Sequence, residues 1–176
     1  MKSPCLKATA PGQQERLKAG MSFVYLRDHP EFFPLVALWI WEEWAPLLTQ
    51  RSAEEFEQWL RSHGRGCGLP TTLVLTENGE AVGTVSLECD DMEIRPELTP
   101  WLASLYVVPT QRGRGLGRAL VRAAEEEARS LGITRLFLYT PAHEDFYTAL
   151  GWEAFERCEY RATAVTLMRR RLKLEA

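Results

Sequence analysis

The chain has 176 residues, 45% of them apolar and 26% charged, with a formal net charge of −3. That length suits one ordinary domain with a sizeable core, and the balance excludes a collagen, a coiled coil and a disordered tail. No apolar stretch approaches the roughly 20 residues of a membrane-spanning helix, and the scattered basic residues give no electrostatic case for nucleic acid.

The chain start carries no apolar segment with a cleavage signature, so export is not expected. Cys5, Cys67, Cys89 and Cys158 form no C-x-x-C pair, and His29, His63 and His143 lie far apart in sequence. A reduced, cytoplasmic protein without a disulfide framework or metal centre is the expectation. Residues 1–18 are expected to be a frayed lead-in to a single domain spanning 1–176.

Residues 22–27 have strand character. Pro30 and Glu31 open a segment in which Phe33, Val36, Ala37, Ile40, Trp41 and Trp44 recur at helical spacing, up to Pro46. A second helix starts at Ser52, whose capping box with Glu55 satisfies two orphan N–H groups. Phe56, Trp59, Leu60 and His63 line one face, and glycines at 64, 66 and 68 end it. Residues 71–76 and 81–90 read as a hairpin around Asn78-Gly79, a pair that favours positive φ. On the returning strand Gly83, Val85, Leu87 and Cys89 face one way, and Thr84, Ser86, Glu88 and Asp90 the other. A polar loop leads to residues 101–108, apolar on both faces as in the centre of a covered sheet.

Pro109 ends that strand. A glycine-rich turn and an amphipathic helix follow, with Leu116, Leu120, Ala123, Ala124 and Ala128 on the buried side and Gly132 as terminator. Residues 134–140 form another strand, 143–150 a short helix stopped by Gly151, and 152–161 with 164–171 a closing antiparallel pair. Arg169, Arg170 and Arg171 read as a solvated chain end.

Chemistry concentrates in Leu105-Tyr-Val-Val-Pro-Thr-Gln-Arg-Gly-Arg-Gly-Leu-Gly-Arg118. Closely spaced glycines let the backbone approach a ligand and turn N–H groups inward. The helix that follows adds its positive end, and Arg112, Arg114 and Arg118 add charge, which suits a phosphate or pyrophosphate. A P-loop is excluded because Gly117 is followed by Arg118-Ala119 rather than Lys and Ser or Thr. A dinucleotide fingerprint is excluded by the glycine phase and by a second strand that ends in Tyr-Thr-Pro.

The run Arg112-Gly-Arg-Gly115-Leu-Gly117 resembles the acetyl-CoA-binding signature of the GNAT family of N-acetyltransferases: Gln or Arg, any two residues, Gly, any one, then Gly or Ala. Asp145-Phe146-Tyr147-Thr-Ala-Leu150-Gly151-Trp152 resembles the family's Phe-Tyr-x-x-Leu-Gly-Phe helix, one helix and one strand downstream. The resemblance implies a single-domain α/β fold. Its central sheet is mixed, mostly antiparallel and flanked by helices, with a splayed central strand pair. It implies acetyl-CoA as cosubstrate, with the pantetheine arm along Leu105, Tyr106 and Val107. The pyrophosphate is expected among Arg112, Gly113, Arg114, Gly115, Leu116 and Gly117, near Arg118. Tyr147 is the implied acid for the leaving thiolate, against the alternative of a packed aromatic. Val107 is the candidate N–H donor to the developing oxyanion.

Glu88 is the candidate base, with Asp90 or water as alternatives. Asp91 and Glu93 are read as attracting a cationic acceptor. The expected partner is a small-molecule amine, with a protein N-terminus as the other possibility and no nucleic acid or membrane. A monomer or homodimer is expected. Trp39, Trp41, Trp44 and Trp101 read as core rather than binding wall, and His143 as a helix-start residue. An inactive acetyl-CoA sensor is the competing class.

Overall fold

A computed structural model describes residues 19–44, 52–63 and 68–174. The predicted lead-in, the helix end at Pro46, and the stop at Gly64 and Gly66 lie outside these residues. Four helices, α1 (Phe33–Trp44), α2 (Ala53–His63), α3 (Leu116–Ser130) and α4 (Glu144–Thr148), accompany seven strands. The strands are β1 (Met21–Tyr25), β2 (Thr71–Glu77), β3 (Glu80–Glu88), β4 (Trp101–Val107), β5 (Arg135–Thr140), β6 (Glu153–Tyr160) and β7 (Thr163–Arg171). They form one sheet in the order β1-β2-β3-β4-β5-β7-β6. Every neighbouring pair is antiparallel except β4 and β5. The α/β architecture and element order agree with the sequence expectation.

Local chemistry accounts for the boundaries. At the start of α2 the Glu55 N–H donates to Ser52 Oγ at 3.2 Å, and the Ser52 N–H donates to Glu55 Oε2 at 2.8 Å. The β2–β3 hairpin turns through Asn78 (φ 53°) and Gly79 (φ 87°), the two positive values that a tight two-residue turn requires. After α3 the Ile133 N–H reaches back to the Ala128 carbonyl at 2.9 Å around Gly132.

Two helical layers cover the sheet. Leu116, Leu120, Val121, Ala124 and Ala128 of α3 pack on Leu75, Val85, Leu87, Leu136 and Leu138. Val36, Ala37, Trp39 and Ile40 of α1 pack with Phe56 and Leu60 of α2 over Val74. Each fully buried Leu or Val contributes about 1.5–3 kcal/mol relative to an exposed one. A third cluster, with Trp101, Phe137, Tyr160, Val165 and Leu167, fills the β5-β7-β6 side.

Three details differ from expectation. The strand predicted over 81–90 ends at Glu88, so Asp90 lies in the following loop, exposed. The buried stripe of α3 includes Val121 and the charged Glu125, because both fall at helical spacing with Ala124 and Ala128. Trp39, read from the sequence as core, is buried as expected, against the ring of Tyr106. Arg170 is not a solvated chain-end residue. It sits on β7 between β5 and β6 and reaches Glu125 and the Gly151 carbonyl.

Candidate active site

The site follows from a fault in the sheet. β4 and β5 run parallel and share a single paired position, Trp101 with Phe137, before they part. On its other edge β4 carries a bulge. Thr84 pairs with Tyr106 and Ser86 with Ala103, so Val85 faces both Ser104 and Leu105, and Ser104 takes a positive φ of 54°. Beyond β5's reach, the strands enclose a cleft of about 740 Å³.

Strand geometry sets what β4 offers this cleft. Val108 donates its N–H to Val82 at 3.0 Å, and Gly83 pairs with Val107. Antiparallel ladders alternate, so the N–H and C=O of Val107 point away from β3, and those of Leu105 share that edge. The Val107 carbonyl accepts from Arg112 Nε at 2.9 Å. Its N–H remains directed at the cleft. Tyr106 faces the other side of the sheet, stacked on Trp39 at 5.3 Å and edge-on to Trp44 at 6.5 Å.

The glycine loop borders the same cleft. Gly113 (φ 77°) and Gly115 (φ 80°) adopt the left-handed conformation, and a Cβ at either position would meet nothing within 4 Å. They are there for backbone conformation, not for space. Gly115 precedes α3 without a side-chain cap, so the first N–H groups of α3 stay open beside the loop. At Gly117 an added Cβ would lie 3.5 Å from Phe146, which ties the first turn of α3 to α4.

The arginines divide. Arg118 lines the cleft and has no carboxylate partner among the described residues. Arg112 also lines it, with Nη2 3.5 Å from Glu43 of α1 and its guanidinium over Tyr106. Arg114 turns the other way. It grips both oxygens of Glu77 at 2.7 and 3.0 Å and contacts Gln111, bracing the loop against the β2–β3 hairpin.

Tyr147 of α4 lines the cleft, 8% exposed. Its ring packs edge-on to Phe146 and Trp152. Burial pushes its phenol well up, so it stays protonated. His143 stands at the start of α4, as expected, and also lines the cleft.

The acidic residues separate in space. Glu88 pairs across from Trp101 and borders a small recess with Arg27, Thr71 and Thr72. Burial, then the charge of Asp91, pushes its carboxyl up to about 8. Asp91 lines the main cleft with Tyr139 and Thr163. Burial pushes it up to about 7, against the opposing pull of Arg161. Its loop is pinned to β6 and the β6–β7 turn by Arg95 with Glu156 and by Arg161 with Glu93. Sequence reasoning gave Asp91 only an attracting role and Trp44 only a core one, yet both line the cleft. No spacing signal reveals either, because the pins of the loop that carries Asp91 join residues 61 and 68 positions apart.

Among the described residues no group of three or more His, Cys, Asp or Glu is placed to hold a metal, and no helix is long and apolar enough to cross a membrane.

No curated protein matches the chain in sequence. Solved structures do match its fold. An acetyltransferase of the GNAT family from Streptococcus pneumoniae aligns with a TM-score of 0.63 at 21% identity, covering 87% of this chain and 99% of its own. A putative acetyltransferase from Salmonella typhimurium, solved with its cofactor acetyl-CoA, aligns with a TM-score of 0.66 at 20% identity, covering 89% and 96%. An aminoglycoside 6'-N-acetyltransferase complexed with coenzyme A aligns with a TM-score of 0.65 at 17% identity, covering 89% and 98%. The Acetyltransferase (GNAT) family model matches residues 33–152, more than half of the chain. The splayed strand pair, the glycine loop and that match agree: the chain belongs to the GNAT family of acetyltransferases.

Proposed function

We propose that the protein transfers an acetyl group from acetyl-CoA directly to a primary amine of a small, cationic acceptor. The observation that carries this reading is the free edge of β4. Leu105 and Val107 present backbone groups to a cleft bordered by the glycine loop, Tyr147 and Asp91. That edge suits the amides of a pantetheine arm, and the open N–H groups at the start of α3, with Arg118, suit a pyrophosphate. Arg112 reaches the same place once it releases Glu43. Arg114 supports the loop from behind.

In the proposed reaction the acceptor nitrogen attacks the thioester carbonyl, the C–N bond forms and the C–S bond breaks. The Val107 N–H stabilises the negative oxygen of the tetrahedral intermediate. Asp91 takes the proton that the amine loses. A carboxylate held up to about 7 is a stronger base than an ordinary one and is still substantially ionised at neutral pH. Glu88, with its carboxyl held up to about 8, is mostly protonated at neutral pH, so the attraction of a cationic acceptor falls to the ionised Asp91. The sulfur leaves as thiolate and meets the Tyr147 hydroxyl. Burial keeps the proton on this phenol, so it donates a hydrogen bond to the departing thiolate, and the proton that Asp91 takes from the amine balances the thiol that forms, directly or through solvent. No cysteine is needed, and no acyl-enzyme forms.

The test is release of free thiol from acetyl-CoA over a panel of mono-, di- and polyamines, amino sugars and peptides. Turnover with one or more small cationic amines is expected. Tight acetyl-CoA binding with no turnover on any acceptor would replace the enzyme with an acetyl-CoA sensor.

A further inference from the structure

Glu125 is the one charged residue among the buried groups of the described chain, 5% exposed. It lies on α3, on the sheet-facing side, away from the cleft lining. Its Oε1 accepts from the Trp152 indole N–H at 3.0 Å. The Arg129 Nη2 donates to its Oε2 at 3.5 Å, one helical turn on. The Arg170 Nε stands 3.4 Å from Oε1, close enough for an ion pair but misaligned for a hydrogen bond. A carboxylate taken out of water stays ionised only with such partners.

The partners all lead to one place. Arg170 also donates through Nη1 to the Gly151 carbonyl at 2.6 Å. Gly151 has a φ of 85°, and a Cβ there would overlap the Arg170 guanidinium. Glycine at 151 therefore serves both the turn and the arginine's approach. The Trp152 N–H donates back to the Tyr147 carbonyl at 3.1 Å, and the Leu150 N–H to the same oxygen at 2.9 Å. The Trp152 ring stands edge-on to the Tyr147 ring, 6.0 Å between centroids. α4 has only five residues. So short a helix does not hold a side chain in place by itself.

We propose that Glu125, through Trp152 and Arg170, is a positioning residue for Tyr147. The carboxylate anchors the Gly151–Trp152 turn to α3, the helix whose start forms the glycine loop. The donor and the cofactor loop are thereby built on one rigid element, and the distance between them is set by the length of α3 rather than by the short α4. Trp152 and Gly151 carry this role as much as Glu125 does. The proposal rests on the reading of Tyr147 as donor to the leaving sulfur.

The experiment is a double-mutant cycle read by single-turnover acetyl transfer at saturating acetyl-CoA. Its variants are Glu125→Gln, Trp152→Phe and Tyr147→Phe, and each of the first two combined with the third. Glu125→Gln keeps the shape and an acceptor oxygen but removes the charge. Trp152→Phe removes the indole N–H and leaves a ring. Each is expected to slow transfer about tenfold, less than the roughly 10²-fold that a 1 Å misplacement costs. Acetyl-CoA affinity is expected to stay within about twofold, the scatter of such measurements, because the loop lies outside the network. In the Tyr147→Phe background both effects should vanish. Fully additive losses, or losses confined to thermal stability with transfer unchanged, would overturn the positioning role. If Tyr147→Phe itself leaves the rate unchanged, the donor reading fails instead, and the two failures are distinguished. Should Glu125→Gln not fold, the Trp152→Phe arm carries the test alone.

Discussion

The glycine loop at 112–117 and the acidic loop that carries Asp91 border the same cleft and are built in opposite ways. The first is a backbone device. Its turning groups belong to Gly113 and Gly115, its open amides belong to α3, and side chains only brace it or add charge. The second is a side-chain device on an irregular segment, held by arginines from the β6–β7 turn and the loop itself. A backbone device tolerates many side chains but few changes of φ. A side-chain device fails with one carboxylate.

The largest expected effect falls on the second. Asp91→Asn should lower single-turnover transfer by about 10²–10⁴-fold, the usual share of a positioned proton acceptor, and leave acetyl-CoA binding alone. The parent rate should rise with pH through the value near 7 held by Asp91, because the carboxylate works ionised. A pH–rate profile of Asp91→Asn that keeps that limb assigns it to another group.

The backbone device is next. Gly115→Asp places a side chain at φ 80° and a negative charge beside the open amides. Left-handed backbone costs about 1–2 kcal/mol for an ordinary residue, so affinity for acetyl-CoA should fall by about tenfold from strain alone and further from charge. Gly115→Asn should fall less, since it brings similar strain without the charge. Calorimetric titration with acetyl-CoA separates the two terms, and equal losses would mean that charge plays no part.

A smaller effect concerns Glu88, whose folded pKa is raised. Between the ordinary Glu value of about 4.3 and about 8, the folded protein binds more protons here than the unfolded chain does. Stability therefore falls as pH rises through that window. Glu88→Gln should flatten the slope, with a melting temperature above the parent's on the alkaline side. Parallel curves of melting temperature against pH would mean that Glu88 is not desolvated in solution.

The smallest effect is predicted for Arg114→Gln. A brace to Glu77 on the surface is worth about 0–1 kcal/mol, so acetyl-CoA affinity should drop no more than about fivefold. A direct phosphate contact would be worth more, about 1.5–3 kcal/mol. The measured loss decides between bracing and contact.

The same contrast explains what was legible in the sequence. Glycines at 113, 115 and 117 announced the loop because positive φ and close approach leave a residue signature. The capping box at Ser52 and the turn at Asn78-Gly79 were legible for the same reason. Carboxylates leave no such trace. Glu88, Asp90 and Asp91 read alike, and the strand end at Glu88 with the path of the next loop decides which one meets the cleft. The bulge at 104–105 was hidden too, since Ser104 carries no glycine to mark its positive φ. Glu125 was passed over because a charged residue on an amphipathic helix is ordinarily solvated, and two of the partners that make its burial tolerable, Trp152 and Arg170, lie far along the chain.

The strand order β5-β7-β6 has a consequence for how the cleft stays complete. β6 touches the sheet only through β7, although it precedes β7 in the chain. The β6–β7 hairpin closes through the tight turn at Arg161 and Ala162 and is joined to β5 by β7 alone. Without it, Thr163 and the Arg161 anchor of the acidic loop are missing. The glycine loop stands on β4 and α3 and needs nothing from this edge, whereas the acidic side of the cleft is complete only while the hairpin is docked. Loosening of the β6–β7 edge would therefore cost the acceptor side of the cleft before the cofactor side.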